Sequence, residues 1–86
     1  MIVHVGSILH SYTGGSSEVE GQGASVGEVL SDLDRRYGGI RFRIVDEQDE
    51  IRPHVRIYVG GKAAANLETR VRAQDELHIL AALSGG

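Results

Sequence analysis

The sequence predicts an α+β fold, a mixed sheet of four to five strands with one long helix packed across one face. Three observations carry that expectation. Both ends of the chain alternate apolar and polar residues with the period of two that half-buried strands require. Between them, Ser25 to Gly39 reads as a single amphipathic helix with its own start and stop signals. At 86 residues, the chain has room for one small core and too little for a second domain.

Residues Ile2 to Leu9 (IVHVGSIL) are rich in β-branched side chains and read as a first strand, with Val3 and Val5 on one face and Ile2 and His4 on the other. Gly6 marks a bend or bulge in it. Gly14-Gly15 supplies a tight reversal, and SSEVEG returns as a short partner strand. The helix begins at Ser25, because Ser25-Val26-Gly27-Glu28 fits a capping box. Val26, Val29, Leu30, Leu33 and Tyr37 then form one apolar stripe, with Glu28, Ser31, Asp32, Arg35 and Arg36 around the rest of the wheel. Arg35 and Arg36 complement the helix dipole, and Gly38-Gly39 ends the helix in a left-handed cap.

Ile40 to Val45 (IRFRIV) fits either a strand or a short second helix, and the acidic DEQDEIRP stretch after it reads as a turn. HVRIYVGG alternates as a strand, with Val55, Ile57 and Val59 inward, Arg56 and Tyr58 outward, and Gly60-Gly61 as its turn. KAAANLETRVRAQDE is irregular, with Leu67 and Val71 as core anchors. The last strand, Glu76 to Ala82, sets Leu77, Ile79 and Ala81 on one face and His78 and Leu80 on the other. The order β-β-α-(α)-β-β is that of a β-grasp arrangement, in which the first and last strands can lie side by side in the centre. Residues 1–82 are expected to form this domain and residues 83–86 a flexible tail.

Composition removes several classes of function. Nine Lys and Arg against twelve Asp and Glu give a net charge of −3, which leaves no bulk positive potential for nucleic acid or a membrane surface. No apolar run approaches the roughly 18–20 residues of a membrane span, and MIVHVGSILH lacks the layout of a secretory signal. A cytoplasmic address is the expectation. The absence of cysteine excludes thiol catalysis and zinc thiolates. His4, His10, His54 and His78 lack metal-pair spacing and read as surface or packing residues, so no metal site is expected. The run Asp46, Glu47, Asp49, Glu50 lacks calcium-loop spacing. Gly21-Gln22-Gly23 lacks the third glycine of a dinucleotide loop. Arg35, Arg36, Arg41 and Arg43 form a local basic cluster, read as a solvated helix end ahead of a docking patch.

Twelve glycines are about twice the average usage of roughly 7%. Eight fall in four Gly-Gly pairs, three of them at turns, and the fourth is Gly85-Gly86 at the end of LAALSGG. Having no Cβ, two such residues let the backbone thread a narrow channel and leave the carboxylate open to attack from either side.

The helix SVGEVLSDLDRRYGG, the strand HVRIYVGGK and the ending AQDELHILAALSGG resemble, in order and spacing, the MoaD/ThiS family of small ubiquitin-like sulfur carriers. The resemblance spans nearly the whole chain. SYTGGSSEVE and the ending look most like MoaD-related carriers, including those that deliver sulfur for cysteine synthesis. Two departures stand out: Ala73-Gln74-Asp75-Glu76 where the family often has DGDE, and Ala81 where a proline is frequent.

The resemblance implies a protein co-substrate rather than an enzyme. Its Gly86 carboxylate would be adenylated by an E1-like activating enzyme with ATP, converted by a sulfur donor to a thiocarboxylate, and presented to a sulfur-accepting biosynthetic enzyme. Gly85 would give reach, with Ser84 between it and Leu83, which would anchor the base of the tail. ATP and its metal would belong to the activating enzyme, so no bound cofactor is expected. The expected docking surface is the outward face of the last two strands, Tyr58 and Leu80 with His78 and Arg56, because an exposed aromatic beside an exposed leucine makes an interface anchor. A ubiquitin-like modifier joined to lysines through Gly86 is the close rival, and a binding module with an inert tail is the third reading.

Overall fold

In a computed structural model of the chain, residues 1–81 are described. Five strands form one sheet in the order β2-β1-β5-β3-β4. They are β1 (Ile2–Val5), β2 (Glu18–Glu20), β3 (Val55–Val59), β4 (Lys62–Ala63) and β5 (Leu77–Ala81), with α1 (Val26–Arg36) and α2 (Ile40–Ile44) between β2 and β3. β1 and β5 are parallel and central, with Val3, His4 and Val5 opposite Leu77, His78 and Ile79. Every other strand pair is antiparallel.

The alternation in the sequence becomes the two faces of this sheet. Val3, Val5, Val55, Ile57, Leu77 and Ile79 are buried against Val26, Val29, Leu30 and Leu33 of α1 in a single apolar core. A β-grasp fold therefore follows from one striped helix laid on one apolar sheet face. Among the described residues, no helix is long and apolar enough to cross a membrane.

Local chemistry sets the element ends, and in four places it departs from the sequence pattern. The first strand stops at Val5, and Ser7–Leu9 is a 3₁₀ turn that folds Leu9 into the core. The Glu28 N–H donates to Ser25 Oγ at 3.2 Å, as a capping box requires, but the Glu28 carboxylate accepts from the Ala24 N–H at 2.9 Å, one residue before the cap. The left-handed residue after α1 is Gly39, at φ 94°, not Gly38. Its N–H and that of Arg41 both donate to Asp34 Oδ1 at 3.1 Å, and this cap makes Ile40 to Ile44 a helix rather than a strand.

Asp32 is the fourth departure. It is 7% exposed rather than solvated, and its carboxylate accepts from the Gln22 N–H, Arg35 Nη2 and Arg36 Nε at 2.9–3.0 Å. Burial alone would raise its pKa, but Arg36, the Gln22 N–H and Arg35 together outweigh that penalty and hold the carboxyl below its ordinary range. The helix is thereby tied to the segment that follows β2. Two of the four clustered arginines are spent on this contact, and Arg41 pairs with Asp49 at 3.0 Å, so the basic cluster is largely neutralised from within.

Candidate functional site

The sheet face turned away from α1 brings together the four residues expected for docking. Antiparallel register sets Tyr58 opposite His78 and Arg56 opposite Leu80. Leu80 is 47% exposed, one of three large apolar residues open to solvent among the described residues, with Ile2 and Phe42. Arg56 Nη1 donates to the Pro53 and Val55 carbonyls at 2.8 and 3.0 Å. Those bonds fix the guanidinium at the strand edge and leave its remaining N–H groups to face outward.

His4 joins this group, which alternation alone did not reveal. The parallel pairing places it beside His78, and the two rings stack at 4.2 Å with 10° between their planes. Glu18, opposite on β2, lies 3.9 Å from His4 Nδ1, and His4 Nε2 donates to Glu76 Oε1 at 2.6 Å. One row thus crosses four strands as Glu18, His4, His78 and Tyr58, a flat polar and aromatic platform in the middle of the open face. Among the described residues, no group of three or more His, Cys, Asp or Glu side chains is placed to hold a metal ion.

The platform adjoins the end of β5. Antiparallel pairing sets Ala81 opposite Val55, at the start of β3, and an open cavity of about 320 Å³ there is lined by Pro53, His54, Arg56, Leu80 and Ala81. The expected tail residues Leu83, Ser84, Gly85 and Gly86 lie outside the described residues. β5 ends at Ala81, directly after Leu80, which faces Arg56 across the β3–β5 pairing.

Comparison with known proteins fits this geometry. The family model of the ThiS family matches residues 3–86. The sulfur carrier protein CysO of Mycobacterium tuberculosis is 35% identical over 89 residues, covering 98% of this chain and 96% of the relative. A solved structure, the BexX/CysO complex of Amycolatopsis orientalis, superposes at a TM-score of 0.90 with 35% identity, covering 99% of this chain and 98% of that one. SAMP1 from Haloferax volcanii superposes at 0.79 with 29% identity, covering 100% of this chain and 98% of that one. The five-stranded grasp around one capped helix, the open face beside the end of β5 and the match running through Gly86 are one pattern, and the chain belongs to the ThiS family.

Proposed function

We propose that this protein is a sulfur carrier whose reactive group is the Gly86 carboxyl. The observation that carries the reading is the extent of the likeness: sulfur carrier relatives align over 98% of the chain, and the family match runs through Gly85-Gly86. A carboxylate is a poor electrophile. Adenylation by a partner's ATP turns Gly86 into a mixed anhydride, and attack by a sulfur donor expels AMP and leaves a thiocarboxylate. That group is nucleophilic and passes its sulfur to a substrate held by a second enzyme. The carrier itself turns nothing over, and no cysteine thiol of its own competes for the activated carbonyl.

Docking falls to the open face, with Leu80 and Tyr58 as apolar anchors and Arg56 and His78 as polar contacts beside them. A related carrier solved in complex with BexX supports a protein partner. Among sulfur destinations, the CysO relatives favour the cysteine-synthesis branch over molybdopterin or thiamine. A second reading has its own support: small archaeal modifier protein 3 of Haloferax volcanii is 34% identical over 53 residues, covering 62% of this chain and 56% of that one. In a modifier the same adenylate would pass to a lysine amine instead of sulfide.

ATP–pyrophosphate exchange with a cognate activating enzyme tests the proposal. The full chain supports exchange, and a variant lacking Gly85 and Gly86 does not. Equal exchange by both would remove Gly86 from the mechanism. Isopeptide conjugates in lysate carrying Gly86 on substrate lysines would favour the modifier.

A further inference from the structure

The edge of the sheet away from Ala81 holds a second chemical feature that the carrier role leaves unused. Lys62, the sole lysine of the chain, opens β4 just after the Gly60-Gly61 turn and is exposed. It lines an open cleft of about 580 Å³ together with Gly60, Thr69, Arg70, Arg72 and Asp75. Arg70 and Arg72 flank buried Val71, whose N–H donates to the Ala24 carbonyl at 3.0 Å, so both are held on the outside of a pinned segment. The one carboxylate lining the cleft, Asp75, accepts from the Arg72 backbone N–H through Oδ2 at 2.9 Å, which leaves three cationic side chains against a single negative charge. Among the described residues, none of the three cationic side chains forms an ion pair. In a protein of net charge −3, this is a local concentration of positive charge beside an amine.

We propose that Lys62 is an acylation site for acyl phosphates, the mixed anhydrides of carboxylic and phosphoric acids. The two arginines hold the anionic phosphate while the neutral Lys62 Nζ attacks the acyl carbon. The N–C bond forms, the bond from that carbon to the bridging oxygen breaks, phosphate leaves with the electron pair, and Nζ releases its proton to water. The adenylate invoked above is an anhydride of this class, but the assignment of Lys62 does not rest on that reading.

Peptide mapping after limited reaction with acetyl phosphate, and separately with neutral N-hydroxysuccinimidyl acetate, tests the proposal. Both reagents are expected to acylate Lys62. In the double variant Arg70→Gln, Arg72→Gln, the acetyl phosphate rate at Lys62 falls about three- to tenfold through loss of local anion attraction, while the neutral ester rate stays within about twofold. High salt on the unaltered protein, at roughly 1 M, where the screening length is near 3 Å, selectively slows acetyl phosphate in the same way. No acylation of Lys62 by acetyl phosphate, or an acetyl phosphate rate indifferent to both the arginines and salt, would overturn the assignment.

Discussion

Replacing Leu80 probes the open face most sharply, because the side chain sits outside the core and its loss should leave the fold intact. Leu80 is 47% exposed. Fully burying a leucine contributes about 1.5–3 kcal/mol, so covering the exposed half in a complex contributes about 1 kcal/mol, or five- to tenfold in affinity. Leu80→Ala should weaken docking by that factor. Leu80→Asp adds the burial of an unpartnered carboxylate, a penalty of several kcal/mol, and should weaken docking by about a hundredfold or more. Calorimetric titration against a cognate activating enzyme reads both values, with circular dichroism and the melting midpoint confirming the sheet. If Leu80→Asp binds within about twofold of the unaltered protein while fully folded, well short of the anchor's worked contribution, the docking surface lies elsewhere.

Three further substitutions test how the scaffold is held. Leu33 is fully buried in the helix stripe, so Leu33→Ala should cost about 2–5 kcal/mol; an unchanged melting midpoint would refute the packing of that stripe. A Cβ on Gly23 would lie 2.6 Å from the Val29 nitrogen and 2.8 Å from the Glu28 carbonyl carbon. Gly23→Ala must therefore displace the start of α1, at about 1–3 kcal/mol or roughly 4–20 °C in melting midpoint; an unchanged midpoint would mean the helix start yields freely. Asp32 has a lowered pKa in the folded protein, so its charge contributes stability above the unfolded pKa, and that stability is lost as pH falls through the folded value. Asp32→Asn should melt below the unaltered protein at pH 7, and the gap should narrow below about pH 4; a gap of equal size at both pH values would contradict the ion-pair account.

Much of this architecture is legible in the residues because local chemistry and the final fold agree. Ser25 and Glu28 announce α1, and the alternation of Val55 to Val59 and of Leu77 to Ala81 assigns inward and outward faces correctly. What pattern could not supply was adjacency between distant segments. His4 and His78 are each readable as outward residues, yet their stacking requires β1 and β5 to be parallel neighbours, which no local periodicity encodes. Ile40 to Val45 satisfied two periods at once, since Ile40 and Ile44 are four apart and also alternate with Arg41 and Arg43. The tie was broken by Asp34 capping the Gly39 and Arg41 N–H groups, a contact made from the preceding helix. Asp32 looked solvated on the helical wheel, although its spacing to Arg35 and Arg36 was the available sign of an ion-paired carboxylate. Of the candidate site, alternation put Arg56, Tyr58, His78 and Leu80 on one outward face, while His54 and the cavity where β5 ends depended on the β3–β5 register.

Sulfur transfer to Gly86 can be read from the mass of the intact protein. After incubation with ATP, a cognate activating enzyme and a sulfide source, the chain should gain the mass difference between one sulfur and one oxygen. Fragmentation should place that gain on Gly86, and removing ATP should abolish it. A mass that stays constant while the activating enzyme demonstrably converts its own carrier would contradict the account.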